Sequence, residues 1–238
     1  MKVQFIGVGV GPGDPELMTL KAWRLIEQAQ VISYIANESG ESQARSIAQQ
    51  ALAANKNKPL EIPVHMPMNT DRSLGNVAYD QAAETIQQQL NIGKNVVFIC
   101  EGDPLFFGSF AYLLERLQGK YSCQVVPGIS SVHAAASALK LPLTLLKESF
   151  AVISGRHSDE QLKATLRMHD SVVIMKAGRS RKRILDALSE TGRTDEANYL
   201  EYISRENQKI ETDISGLEPD AGPYFSLFVV IRQQRDRS

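Results

Sequence analysis

Residues 7–14 read Gly-Val-Gly-Val-Gly-Pro-Gly-Asp, directly after the run Val3-Gln4-Phe5-Ile6. Four glycines and a proline in this span let a chain leave a buried strand and turn with few side chains in the way. An open α/β sheet uses such loops to offer main-chain groups to a ligand at the carboxyl ends of its strands. Asp14, Pro15 and Glu16 follow as an N-cap, a first-turn proline and a first-turn acid, which predicts a helix start. A dinucleotide fingerprint is disfavoured. Pro12 stands where a small residue and a free amide are wanted. The acid expected about 20 residues further on is also missing, and Tyr34-Ile35 occupies that place.

Three more stretches carry the same signature. Glu101-Gly102-Asp103-Pro104-Leu105-Phe106-Phe107-Gly108 follows the apolar run 95–100. Its two acids suit a positive or hydrogen-bond-donating ligand, and Asp103 also suits a plain helix cap. Val126-Pro127-Gly128-Ile129-Ser130-Ser131 places two hydroxyls where they either cap a helix or meet a ligand. Met175-Lys176-Ala177-Gly178-Arg179 opens a basic run continued by Arg181, Lys182 and Arg183. That run is either a solvated helix face or a place for substrate carboxylates, which arginine forks fit well. His65, His133, His157 and His169 have no metal-ligand spacing, and no Ser/His/Asp set suggests itself. No metal is expected.

Stepping from these residues to the chain that must position them, 238 residues with 43% apolar and 22% charged content are enough for one large or two small domains. A net charge of -1 removes the electrostatic case for broad nucleic-acid binding. Cys100 and Cys123 form neither a zinc pattern nor a disulfide framework, so a reducing, cytoplasmic setting is expected. No apolar segment is long enough to span a membrane, and no signal peptide is apparent.

Hydrophobic patterning predicts strands over 3–10, 31–35, 60–64, 95–100 and 124–126, with helices over 17–28, 40–54, 77–90, 107–117 and 130–139. Residues 65–74 read as loop. Alternating strands and helices imply parallel β-α-β units. Residues 140–148 look like a linker. Beyond it, strands are expected at 150–153, 171–175, 198–203 and 225–231, with a helix over 181–188. This half is richer in strands and reads as a mixed sheet. The expected domains are 1–142 and 148–238.

Taken together, the loops resemble the tetrapyrrole methylase family, S-adenosylmethionine-dependent enzymes of corrin and sirohaem synthesis. The resemblance runs from Gly9–Ala22 through Glu101–Pro104 to Val126–Ser131. Within the family it is greatest to the branch that methylates C20 of precorrin-2 or its cobalt-containing counterpart. Residues 101–105 with 110–117, 173–179 and 223–227 carry that likeness. The uroporphyrinogen methyltransferase branch places an aspartate directly after the tyrosine of the second strand. Ile35 stands there, so that branch's proton acceptor does not carry over. Residues 36–74 match only loosely.

The resemblance implies an α/β fold of two domains, a parallel-sheet N-terminal one and a mixed-sheet C-terminal one, with the active site in the cleft between them. It implies S-adenosylmethionine held largely by backbone and leaving as S-adenosylhomocysteine, a tetrapyrrole substrate, and a homodimer. By motif position, Gly11, Pro12, Gly102, Asp103, Phe106, Ser130, Ser131 and Met175 are cofactor-site candidates. Tyr202 and Ser226 join them from the second domain. Tyr34, Arg72 and Arg179 are substrate candidates. A methyl sulfonium is already an activated electrophile and a reduced tetrapyrrole carbon already a nucleophile, so catalysis is mostly alignment. No general base is assigned. Methylation at another ring position, or a non-catalytic ligand-binding module of the same fold, are the alternatives.

Overall fold

Strand β1 (Gln4–Gly9) lies near the middle of the first sheet, and its glycines are there for closeness rather than for turning. A Cβ on Gly7 would sit 2.5 Å from the ring of Phe110, which packs over this strand and stacks on Phe5 at 5.0 Å. The computed structural model describes residues 3–66 and 72–233. The chain divides into two compact units, Met1–Ser131 and Val132–Ser238.

In the first unit, β1 is joined by β2 (Val31–Ala36), β3 (Leu60–His65), β4 (Val96–Cys100) and β5 (Ser122–Val126). The order is β3-β2-β4-β1-β5, and every pairing is parallel. Alternate residues face opposite sides, as strand geometry requires. Ile6, Val8, Ile32 and Ile99 pack with α1 (Leu20–Glu27), α2 (Gln43–Ile47) and α3 (Gln49–Ala54). Phe5, Val31, Val96 and Phe98 pack with α4 (Arg72–Asn91) and α5 (Phe110–Leu117). Burial on both faces explains why these strands read as nearly continuous apolar runs.

The boundaries differ from the expectations in instructive ways. Asp14 accepts from the Glu16 amide at 2.8 Å, but what it caps is the single 3-10 turn Pro15–Leu17. Thr19 caps α1 through the Ala22 amide at 3.2 Å. The expected helix 17–28 is thus a turn and then a helix. The expected helix over 40–54 breaks at Ala48 into α2 and α3. Helix α4 begins at Arg72, inside the stretch read as loop. Helix α5 begins at Phe110 rather than Phe107, because Phe107 has φ +55 and cannot continue a right-handed turn.

In the second unit, β6 (Phe150–Ser154), β7 (Ser171–Met175), β8 (Ala197–Glu201), β9 (Lys209–Glu211) and β10 (Ser226–Ile231) form a sheet of order β6-β7-β10-β8-β9. Only β6 and β7 pair in parallel, so the sheet is mixed as expected. One face packs on α7 (Asp159–Met168) and α8 (Arg181–Glu190). The other packs on α6 (Ser131–Leu139) through Val132 and Ala135. Helix α7 and strand β9 were not anticipated.

Candidate functional site

The carboxyl ends of β1, β4 and β5 meet main chain to main chain. Gly102 donates its amide to Gly11 O at 2.7 Å, and Gly11 donates back to Gly102 O at 3.4 Å, an isolated bridge between two loops. A Cβ on Gly9 or on Gly128 would overlap the Gly102 carbonyl oxygen. Gly11 and Gly102 hold φ +88 and +61, the left-handed region that favours glycine. Part of the glycine content therefore lets three loops touch.

Asp103 fastens this junction. Its Oδ1 accepts from the Leu105 amide at 2.9 Å and its Oδ2 from the Gly128 amide at 3.1 Å. One carboxylate spans the loops after β4 and β5. Pro12 is buried beside Gly11, and Ser130 is buried with its Cα 3.8 Å from where a Gly102 Cβ would be. Ser131 opens α6. Beyond Asp103 the chain exposes Leu105, Phe106 and Phe107 at 54%, 36% and 42%, with the two rings edge to face at 5.2 Å. Large apolar side chains grouped at a strand end, rather than scattered singly, make this tip a candidate binding surface.

The substrate candidates of the first unit are Tyr34 and Arg72. Tyr34 is buried, and its hydroxyl donates to Glu61 Oε2 at 2.7 Å. Arg45 grips the same carboxylate with Nε at 2.6 Å and Nη2 at 3.0 Å. Burial first, then Glu61, push the Tyr34 hydroxyl up to about 12. The Arg45 guanidinium holds the Glu61 carboxyl below its usual range. Tyr34 ties β2 to β3 in the core. Arg72 is the first residue of α4, and its side chain lies outside the described residues.

In the second unit, the candidates fall on three neighbouring segments of one sheet edge. Met175 ends β7, and the next residues return to β10, with the Ala177 amide donating to Ser226 O at 3.2 Å. Tyr202 follows β8, and its amide donates to Phe225 O at 2.8 Å. Ser226 is buried, with its hydroxyl donating to Pro223 O at 2.7 Å. Lys176 and Tyr202, on either side of Phe225-Ser226, have φ +55 and +50. Non-glycine residues in this region cost about 1–3 kcal/mol and concentrate at functional sites. Arg179 is exposed in the 3-10 turn Gly178–Ser180.

The basic run is not one face. Arg181 is buried, and its Nη2 donates to the Tyr199 hydroxyl at 2.7 Å and to Glu201 Oε1 at 3.1 Å. Its guanidinium also lies over the Tyr199 ring at 4.7 Å. A Cβ on Gly222 would overlap the Arg181 guanidinium and the Tyr199 hydroxyl, and a Cβ on Gly178 would overlap the Pro223 carbonyl. This network therefore supports the Gly222–Ser226 turn from below. Sequence reading missed it, along with the central place of Gly9 and Gly128. Those glycines stood in the motifs, but they pack against other motifs, Gly128 on Gly102 and both of these on Gly9, which lies more than 90 residues earlier in sequence.

Among the described residues no group of three or more His, Cys, Asp or Glu side chains could hold a metal, and no helix is long and apolar enough to cross a membrane.

A fold and loops of this kind recur in known proteins. The chain is 34% identical over 235 residues to the precorrin-2 C(20)-methyltransferase of Sinorhizobium sp., covering 95% of this chain and 94% of that one. It is 28% identical over 236 residues to the cobalt-precorrin-2 C(20)-methyltransferase of Salmonella typhimurium, covering 98% of each. Among solved structures, the uroporphyrin-III C-methyltransferase of Thermus thermophilus complexed with S-adenosylhomocysteine shares the fold, with a TM-score of 0.68 at 23% identity over 96% of this chain and 97% of that one. The family model for tetrapyrrole (corrin/porphyrin) methylases matches residues 4–217. With the parallel sheet, the mixed sheet and the glycine loops in place, the chain belongs to the tetrapyrrole methylase family.

Proposed function

We propose that this protein transfers a methyl group from S-adenosylmethionine to C20 of precorrin-2, or of its cobalt-containing counterpart, in corrin synthesis. The observation that carries this reading is the end-to-end likeness to two relatives named for that one ring position. The methyl donor fits what the first unit offers. The Gly9–Gly102–Gly128 contact locks three loops together at the carboxyl ends of β1, β4 and β5, the place where a sheet of this kind offers main-chain groups to a ligand.

Gly11, Pro12, Gly102, Asp103, Phe106, Ser130 and Ser131 would hold the donor in the first unit, and Met175, Tyr202 and Ser226 in the second. S-adenosylmethionine supplies an already activated methyl group. The chain's own work is to orient, and alignment of two bound reactants is worth roughly 7–11 kcal/mol. Asp103 acts by fixing the loops that carry the backbone amides. Leu105, Phe106 and Phe107 give a flat apolar macrocycle something to lie against. Arg72 and Arg179 are kept as partners for its carboxylates. The protein works in the cytoplasm as a homodimer, a reading supported by its family and its two free cysteines.

Incubation with isotopically methyl-labelled S-adenosylmethionine and either metal-free or cobalt-loaded precorrin-2 tests the reading. One labelled methyl at C20, located by nuclear magnetic resonance, is the expected result. Label at another carbon, or donor binding without transfer, would overturn it.

A further inference from the structure

Arg181 opens α8 and is buried against the Gly222–Ser226 turn. Tyr199 and Glu201 share one face of β8, and both accept from its Nη2, at 2.7 and 3.1 Å. Its Nη1 donates to Glu218 O at 3.3 Å, on the chain leading into the turn. The guanidinium is therefore held on two sides and is not free to swing away. Its Nε is buried with no hydrogen-bond partner among the described residues. An unmet buried donor costs about 1–3 kcal/mol, and a buried ion pair is weak evidence for stability. What this group supplies is position.

Gly222 is the point of contact. Its backbone lies outside the left-handed region, so the turn itself does not require glycine there. A Cβ at 222 would overlap the guanidinium and stand 2.5 Å from the Tyr199 hydroxyl. The position is bare because Arg181 and Tyr199 leave no room for a side chain. From this seat the turn is tied onward. The Gly222 amide donates to Gly178 O at 3.0 Å, Ser226 Oγ donates to Pro223 O at 2.7 Å, and the Tyr202 amide donates to Phe225 O at 2.8 Å. Ser226 also pairs in register with Glu201, itself a partner of Arg181. The height of the turn over Arg181 and Tyr199 is thus passed on to Tyr202 and Ser226.

We propose that Arg181 and Tyr199 are positioning residues for the methyl donor. They set the height of the Gly222–Ser226 turn and act on the donor only through it. The proposal deepens the methyltransferase reading and rests on its placement of Tyr202 and Ser226 at the donor.

The test uses the full chain with two variants. Tyr199→Phe keeps the ring and removes the hydroxyl, and Gly222→Ala drives a methyl against the guanidinium. Arg193→Met is the control. Arg193 is a second buried arginine of the same unit, but it donates to Leu166 O, His169 O and Asp170 O, at the end of β7 opposite Met175. Circular dichroism and urea denaturation check the fold and midpoint of each protein. Calorimetry measures S-adenosylhomocysteine, and kinetics give KM for S-adenosylmethionine and for precorrin-2, at a temperature where every variant is folded. In Tyr199→Phe and Gly222→Ala, S-adenosylhomocysteine affinity is expected to fall about ten-fold and KM for the donor to rise alike, with KM for precorrin-2 unchanged. Arg193→Met is expected to lower the midpoint and keep the parent's affinity. Affinity that holds in both turn variants, or that falls equally in Arg193→Met, overturns the proposal. A parent chain that binds no S-adenosylhomocysteine overturns the functional reading, and this proposal with it.

Discussion

The Asp103 carboxylate and the Gly128 amide are joined at 3.1 Å across two loops that are 25 residues apart in sequence. The other oxygen of the same carboxylate holds the Leu105 amide at 2.9 Å. Asp103→Ala removes both acceptors, and a hydrogen bond to a charged group contributes about 1.5–3 kcal/mol. The expected result is a lower denaturation midpoint together with weaker S-adenosylhomocysteine binding, because the glycine loops lose their register. Asp103→Asn, which keeps one acceptor, should fall between. Full stability in Asp103→Ala would show that the loops hold themselves.

The glycines of the junction should not be equivalent. Gly9→Ala and Gly128→Ala each drive a methyl into backbone, where nothing can rotate away. Both are expected to cost at least the roughly 1–3 kcal/mol of an overpacked core. Gly102→Ala meets only ordinary contact at 3.8 Å, and its cost is the left-handed backbone at φ +61, about 1–2 kcal/mol. Urea denaturation of the three variants measures the order. A Gly102 variant less stable than the Gly128 one would contradict it.

Removing Arg181 strands a buried carboxylate. Glu201 is 8% exposed and, among the described residues, keeps the Tyr199 hydroxyl at 3.0 Å and a distant Lys209 at 3.8 Å. Arg181→Met is expected to cost about 3–5 kcal/mol, and Arg181→Met with Glu201→Gln much less than the sum of the singles. A double-mutant cycle in denaturant gives the coupling. Additive losses would mean that the pair acts independently.

The Tyr34–Glu61–Arg45 cluster predicts the shape of the stability profile. The Glu61 carboxyl lies below its usual range, chiefly because Arg45 donates to it. Its contribution is complete above the unfolded value of about 4.3 and is lost as pH falls through the folded value. Tyr34 has the opposite sense. Its contribution is complete below about 10 and is lost as pH rises through its folded value, about 12. Because Arg45 and Glu61 are 45% and 32% exposed, the ion pair itself is worth under about 1 kcal/mol. Melting temperature against pH should fall less steeply in acid for Glu61→Gln than for the parent, and Tyr34→Phe should lose part of the alkaline decline. Curves parallel to the parent's at both ends would remove the cluster from the profile.

What was legible in the sequence was local or periodic. The apolar runs of β1, β4, β7 and β10 gave their strands away because both faces are covered. The glycine loops announced themselves by composition. Helix α7 was not seen because only Leu162 and Leu166 are buried on it, a stripe too thin for periodicity, although Ser158 and Gln161 form a capping box that would have marked its start. The start of α5 was missed because nothing local shows that Phe107 sits in left-handed backbone. The buried Arg181–Glu201 pair was hidden for the plainest reason: a charged residue in a basic run looks solvated until its partner, 20 residues on, is known.

The meeting of Gly9, Gly102 and Gly128 contains no side chain that could be exchanged. A lineage that keeps this meeting keeps these strand ends in register, whatever changes around them. Variation is easier at exposed side chains such as Leu105. An engineer should leave the glycines alone and begin with Leu105.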